Sequence, residues 1–160
     1  ERVDRYINFR WGMGGPFFLW RRDNFSIRWT GFLRVPQAGR YEFVVFADDG
    51  FRLFIDSRPI MQDWSIHKVR EKRATVSLAE GYHPITIAYY EKAGQAAMDV
   101  YWKRPGDNRP VQLGGDALVP GEEYIHDELP VFKGASEQMP DGTSDNADTT
   151  AGPDNDAEAP

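Results

Sequence analysis

Six stretches of this chain place an apolar residue at every second position, and this alternation constrains the fold more than any other feature. They cover residues 25–30, 41–45, 51–56, 74–78, 85–89 and 98–103. Because successive side chains of a β-strand point to opposite faces, each stretch predicts a strand with one face on a core. Turn-forming segments such as Asp48–Gly50 and Asp56–Pro59 separate the stretches. We expect about eight to ten short strands in an antiparallel β-sandwich or barrel.

The C-terminal segment differs from the rest of the chain in both charge and apolar content. Residues 133–160 contain seven acidic residues and one basic residue, so they carry the whole net charge of −6. They contain none of the 5 Trp, 7 Tyr and 10 Phe residues. A segment this poor in large apolar residues cannot offset the entropy that folding removes. We therefore expect one folded domain over residues 1–132 and a disordered acidic linker or tail over residues 133–160.

The remaining composition excludes several classes of protein. Residues 1–132 hold 18 acidic and 18 basic residues, and such a neutral body is not typical of a nucleic-acid-binding protein. No run approaches the roughly 18 apolar residues of a membrane span, so we expect no membrane insertion. The absence of Cys excludes a disulfide scaffold and a thiolate zinc site. The chain begins at Glu1, which is typical of a mature or excised piece of a longer polypeptide.

The first candidate site is the adjacent pair Asp48 and Asp49, which lies where one predicted strand ends and the next begins. One interpretation is a plain turn, because Asp and Gly are favoured in hairpin connections. The other is a calcium site, because Ca²⁺ takes about 6–8 oxygen ligands from carboxylates, carbonyls and waters. In a trans-linked strand the two side chains would point to opposite faces. A cis peptide bond between them would bring both carboxylates to one side.

The second candidate site is the segment Glu91–Ala96, which connects two strongly predicted strands. Gly94 is expected to supply a positive φ there. Backbone carbonyls of this segment, with the side chain of Glu91 or Gln95, would complete a calcium shell that the Asp pair begins. A plain hairpin loop is the alternative, and it is the simpler interpretation of the segment by itself.

The motifs of the chain, taken in order, resemble one known family. They are Phe25-Ser-Ile-Arg-Trp-Thr-Gly31, Ala38-Gly-Arg-Tyr41-Glu-Phe43, Asp48-Asp-Gly-Phe-Arg-Leu-Phe-Ile-Asp56, Asp63-Trp64, Tyr89-Tyr-Glu91 and Val100-Tyr-Trp102. With these gaps the chain resembles the PA-fourteen domain family, first described in anthrax protective antigen, over residues 3–132. The resemblance implies an all-β fold, a jelly-roll-like antiparallel β-sandwich of two packed sheets with long loops. Such domains occur in bacterial toxins, glycosidases, adhesins and yeast flocculins, usually as non-catalytic modules.

The lectin members of that family bind carbohydrate through calcium, which two consecutive Asp residues joined by a cis peptide hold with help from a second loop. Asp48 and Asp49 match that pair, and the segment Glu91–Ala96 is similar in position to the second loop. Flocculin-type members use an Asn in this loop, where the present chain offers Gln95. Together with the reasoning from the residues themselves, this resemblance predicts calcium ligands at Asp48, Asp49, Glu91 and Gln95, and sugar contacts at Asp48, Asp49, Lys92, Gln95 and Trp20.

Aromatic residues at the rim of such a site could stack on a sugar. Trp20 and Trp64 are candidates because both lie in irregular segments. Buried packing is the alternative for both, and for Trp64 we expect it, because the family pattern places this residue against the sheet.

These observations predict a calcium-dependent carbohydrate-binding module, lectin- or adhesin-like, of a larger secreted or cell-surface protein, with glycans as its partners. The alternative is a structural or protein-interaction module of the same fold without metal. Catalysis by this segment is not expected. A glycosidase needs two carboxylates about 5–10 Å apart that flank the bond, and the chain has no Ser-His-Asp signature and no phosphate-binding loop.

Overall fold

The computed structural model describes residues 3–16 and 22–121, so Trp20 and the predicted boundary and tail beyond Phe132 lie outside the described residues. The described part of the chain forms ten β-strands and a short 3-10 helix, Gly115–Ala117. The strands are β1 (Asn8–Gly12), β2 (Phe25–Val35), β3 (Gly39–Asp48), β4 (Gly50–Ile55), β5 (Arg58–Asp63), β6 (Arg70–Leu78), β7 (Gly81–Glu91), β8 (Ala96–Lys103), β9 (Val111–Gln112) and β10 (Leu118–Val119). No helix within these ranges is long and apolar enough to cross a membrane.

The strands form two antiparallel sheets. The first sheet has the order β1-β8-β3-β6, with β9 also paired to β8, and the second has the order β10-β2-β7-β4-β5. The most extensive ladder joins β2 to β7, from Phe25 opposite Glu91 to Val35 opposite Gly81. The six alternating stretches correspond to β2, β3, β4, β6, β7 and β8, which confirms the predicted strands.

One continuous core lies between the sheets, which confirms the sandwich. The apolar positions of the alternating stretches fill it, with Tyr41 and Phe43 from the first sheet and Phe51, Leu53 and Tyr89 from the second. All five are fully buried. Burying a large apolar side chain contributes about 1.5–3 kcal/mol to the stability of the folded state. Each strand is therefore strongly favoured with its apolar face towards the core.

The hairpin between β4 and β5 is tighter than the turn predicted over residues 56–59. Asp56 and Ser57 form the whole turn, with φ of 52° and 62°, and β5 already begins at Arg58. Two positive φ values give the turn a twist that matches that of the flanking strands. Pro59 is tolerated because β5 is an edge strand, where a missing N–H breaks no central ladder.

Several chain segments pass from one sheet to the other at the same end of the sandwich. The β3–β4 connection lies between Asp48, which pairs with Ala97, and Gly50, which pairs with Tyr90. The β7–β8 loop, residues 92–95, passes back beside it. The β5–β6 loop, residues 64–69, also crosses there, because β5 and β6 flank β4 and β3 respectively. This end of the sandwich therefore brings both predicted site segments together.

Candidate metal centre

Three carboxylates meet where the β3–β4 connection and the end of β7 lie side by side. Asp48, Asp49 and Glu91 each offer one oxygen, and these oxygens lie within 4.8 Å of one another. The peptide bond between Asp48 and Asp49 is cis, as anticipated. The three residues are only 7%, 2% and 1% exposed, so this is a buried acidic cluster rather than a solvated surface patch.

Glu91 reaches the cluster because it is the last residue of β7. It is separated by an even number of positions from Ile85, Ile87 and Tyr89, all of which are buried in the core. Alternate residues of a strand share a face, so Glu91 points inward like its apolar neighbours. At this position the sandwich ends, and the inward side chain meets the Asp pair instead of another apolar residue.

Backbone N–H groups of the two neighbouring loops hold the Asp pair. Asp49 accepts from the backbone of His67 through Oδ1 and from the backbone of Lys92 through Oδ2, both at 2.8 Å. Asp48 Oδ2 accepts from the backbone N–H of Val69 at 3.1 Å. Hydrogen bonds to an ionised carboxylate are stronger than those between neutral groups. Both Asp side chains are therefore fixed in place by the loops on either side.

The buried hydroxyl of Tyr89 lies beneath the cluster. It is within hydrogen-bonding distance of the backbone carbonyl of Asp48 and of Glu91 Oε2, the latter at 3.2 Å. A tyrosine hydroxyl has one proton and donates to one acceptor at a time. Tyr89 thus positions both the connection that carries the Asp pair and the third carboxylate.

Burial makes this cluster unfavourable when all three carboxylates are charged. Desolvation, followed by the charge of Asp49, raises the pKa of Glu91 to about 7 and also raises the pKa of Asp48. No Lys or Arg within the described ranges forms an ion pair with any of the three. Backbone N–H groups solvate the two Asp carboxylates, but buried carboxylates without a cation partner remain costly, so a bound proton or a cation would stabilise the cluster.

The residues fit a hard divalent cation. Glu91 Oε1 is buried and has no hydrogen-bond partner within the described part of the chain. The cluster offers oxygen donors alone, which suits Ca²⁺ and Mg²⁺ rather than metals that prefer imidazole or thiolate. Of these, Ca²⁺ accepts the more irregular and more numerous oxygen ligands.

Two other predicted site residues, the sugar contact Lys92 and the ligand Gln95, lie on the β7–β8 loop. Lys92 and Gln95 are exposed, and the contact of Lys92 with the site is the backbone hydrogen bond to Asp49. Gly94 has φ of 108°, as predicted, and its N–H donates to Asp23 Oδ1 at 3.0 Å. Gln95 makes no side-chain hydrogen bond to a described residue, so its role as a calcium ligand stays a prediction.

Trp64 departs from its expected burial. It contacts the sheet through Tyr90 and Arg52, yet 44% of its surface is exposed. The chain leaves the edge strand β5 immediately before Trp64, so no further strand covers the outer side of the indole. The expectation of a buried Trp64 was therefore wrong in degree, because the residue packs on the sheet without being enclosed.

Sequence reasoning missed the β5–β6 loop as part of the site. This loop contributes backbone N–H groups of His67 and Val69, and every residue except Pro has such a group. The hydroxyl of Tyr89 was also missed. Tyr89 lies two residues before Glu91 on the same inward face of β7, and this position was a usable signal, because a buried tyrosine hydroxyl requires a polar partner.

Comparison with known proteins identifies the family of this chain. The PA14 domain family model matches residues 1–113. Anti-sigma-I factor RsgI3 of Acetivibrio thermocellus is 28% identical over 122 residues, which are 76% of this chain and 19% of the relative. The solved anti-sigma factor domain-containing protein from Clostridium clariflavum has a TM-score of 0.69 and 30% identity, covering 76% of this chain and 41% of that one.

A third similarity concerns the fold alone. The solved PA14 sugar-binding domain from an RTX adhesin has a TM-score of 0.57 and 24% identity, covering 62% of this chain and 56% of that one. This chain therefore spans less than two thirds of each of these relatives. Because the family model matches residues 1–113 of 160, the chain belongs to the PA14 domain family.

Proposed function

We propose that this domain is a calcium-dependent carbohydrate-binding module. The observation that carries the proposal is the buried cluster of Asp48, Asp49 and Glu91, with Glu91 Oε1 lacking any hydrogen-bond partner in the described chain. Three buried carboxylates that remain unpaired would oppose folding at neutral pH. A cation that binds all three would offset that cost, and the cost therefore favours a metal role over a plain turn.

Asp48, Asp49 and Glu91 would hold the ion. A bound Ca²⁺ would supply open coordination positions at which neighbouring sugar hydroxyls replace water. The chain's own residues fix the carboxylates through the backbone of His67, Val69 and Lys92. The exposed side chains of Lys92 and Gln95 would hydrogen-bond the sugar, and Gln95 would also reach the ion.

A binding role is favoured over catalysis. The carboxylates are buried and two of them are fixed by backbone hydrogen bonds, whereas a glycosidase needs an acid and a base on opposite sides of an accessible bond. The name of the RTX adhesin relative describes a sugar-binding domain, which supports a glycan partner and a location at or outside the cell surface.

A second candidate function is a metal-free recognition module in a regulatory protein. The two anti-sigma factor relatives favour it. The pKa of Glu91, raised to about 7, also favours it, because a proton on this carboxyl would lower the charge of the cluster without a metal. Under this hypothesis the domain would contact a protein partner and calcium would leave its stability unchanged.

Thermal unfolding in excess Ca²⁺ and in EDTA separates the two functions. A ligand that binds only the folded state at 100 times its Kd stabilises it by about 2.7 kcal/mol, which raises the Tm by several degrees. We expect this rise in the wild type and its loss in the Asp48→Asn/Asp49→Asn variant. Asp107→Asn is the matched control, because Asp107 binds Arg104 away from the cluster and should leave the calcium effect intact.

The outcome in the wild type decides the calcium proposal. A Tm that is the same in Ca²⁺ and EDTA would exclude it and favour the metal-free module. If calcium does raise the Tm, binding to a glycan array with and without EDTA tests the carbohydrate half of the proposal. Binding that persists in EDTA would contradict coordination of sugar by the ion.

A further inference from the structure

The β5–β6 loop exposes apolar side chains directly beside the acidic cluster. Trp64, Ile66 and Val69 are 44%, 66% and 56% exposed. The same loop donates the backbone N–H groups of His67 and Val69 to the Asp pair. Apolar residues that stay exposed next to a candidate binding site are typical of a ligand-contacting surface.

Trp64 is the largest of these exposed side chains, and two neighbours hold its indole ring. The Tyr90 ring packs edge-on at 4.6 Å between centroids, and the Arg52 guanidinium lies 4.2 Å from the indole centroid. Arg52 forms no ion pair with a described acidic residue, and its guanidinium makes a cation–π interaction with the indole instead. The indole is thus fixed before any ligand binds, which reduces the entropy lost on binding.

The held indole is close to the acidic cluster. Tyr90 pairs with Gly50, the residue that follows Asp49. The Tyr90 ring also packs so closely on Gly50 that a Cβ atom there would overlap it. Contacts therefore run without a gap from Asp49 through Gly50 and Tyr90 to Trp64.

We propose that Trp64 is the stacking platform of a second sugar subsite, which binds the ring next to the one at the acidic cluster. This inference rests on the carbohydrate-binding function proposed above and specifies an oligosaccharide rather than a monosaccharide as its ligand. A pyranose has an apolar face of C–H groups and a polar rim of hydroxyls. The exposed indole takes the apolar face, and the Arg52 guanidinium donates to rim hydroxyls.

The test compares sugars of different length. An array carries glucose, galactose, mannose, fucose, xylose and arabinose beside their di- to hexasaccharides, and binding is measured in Ca²⁺. We expect the wild type to prefer oligosaccharides to the matching monosaccharide. Trp64→Ala should reduce oligosaccharide binding about tenfold, because it leaves roughly 60 Å² of apolar surface uncovered. It should leave monosaccharide binding unchanged, and also the calcium concentration at which binding is half-maximal.

Two variants separate stacking from a structural role. Trp64→Phe keeps an aromatic face and should restore much of the length preference. Val111→Ala removes an exposed apolar side chain beside Trp102, at the other end of β8 from the cluster, and should change neither sugar binding nor calcium binding.

The outcomes distinguish this inference from the function on which it rests. A length preference that persists in Trp64→Ala overturns the subsite and leaves the calcium-dependent lectin standing. A loss of monosaccharide and oligosaccharide binding in equal proportion also overturns it, since that result means general damage to the site. If the wild type binds no sugar on the array, the carbohydrate function fails and this inference falls with it.

Discussion

The ring of Tyr90 lies directly against Gly50, and a Cβ atom at residue 50 would overlap the ring atoms Cε1 and Cζ. Gly50 is needed here for the close approach of a side chain and not for a positive φ. The residue after the Asp pair must therefore be small for Tyr90 to reach both Trp64 and the neighbourhood of Asp49. The glycine of the Asp-Asp-Gly motif is part of the site's architecture rather than a generic turn residue.

Gly50→Ala should destabilise the domain by about 1–3 kcal/mol, because the added methyl group forces the packed Tyr90 ring to move. Denaturant unfolding measures the loss. Tyr90→Ala removes the obstacle, so the cost of Gly50→Ala should be much smaller in that background. An equal cost in both backgrounds would show that the ring does not set the requirement for glycine.

Tyr89→Phe should cost about 1–3 kcal/mol, because it deprives the buried carbonyl of Asp48 or the Glu91 carboxylate of its donor. It should also weaken calcium binding, measured by titration calorimetry. Tyr41→Phe is the matched control, since this buried hydroxyl donates to the carbonyl of Gln37 at the far end of β3. Weakened calcium binding in both variants would indicate a general loss of stability instead of a local effect.

Glu91→Gln should leave the Tm in EDTA at pH 8 unchanged or higher, because it removes a buried carboxylate that has no cation partner. The rise in Tm on adding Ca²⁺ should fall by more than half. Asp99→Asn provides the contrast, because buried Asp99 pairs with Arg10 at 2.9 Å. That variant should lower the Tm in EDTA and keep the full calcium effect. A full calcium effect in Glu91→Gln would remove Glu91 from the ligand set.

The calcium-free domain should lose stability as the pH rises. The pKa of Glu91 is raised from 4.5 to about 7 in the folded state, so the folded state binds more protons than the unfolded state between these values. The resulting stability is fully present below about pH 4.5 and is lost as the pH rises through about 7. Asp48, whose pKa is also raised, acts in the same direction.

Thermal unfolding in EDTA from pH 5 to pH 8 checks this dependence, with Glu91→Gln as the control that should show a smaller fall. Calcium binding requires ionised carboxylates, so the calcium-induced rise in Tm should grow over the same pH interval. A Tm in EDTA that rises from pH 5 to pH 8 would falsify the assignment of a protonated Glu91.

The strands and the faces that they bury could be predicted from local sequence. The alternation in β2, β3, β4, β6, β7 and β8 is a property of consecutive residues, and burial of apolar side chains favours one face of each strand. β5 was not predicted because adjacent Ile60 and Met61 break the alternation. The Asp pair and Glu91 could be named as candidates because the two adjacent acids and the segment Glu91–Ala96 match in position the calcium-binding segments of the family that the chain resembles.

The sequence by itself determined the sandwich and the family, and it named Asp48, Asp49 and Glu91, together with Gln95, as candidate ligands. Only the tertiary structure decided that the three carboxylates meet, that the β5–β6 loop holds the Asp pair and that Trp64 stays exposed. The face to which a side chain points follows from its position along its own strand, and neighbouring residues determine it. The meeting of Asp49, Glu91 and His67 instead depends on how distant strands pair and where their loops pass between the sheets. Backbone donors add to this dependence, because an N–H group has no residue type by which a sequence could reveal it.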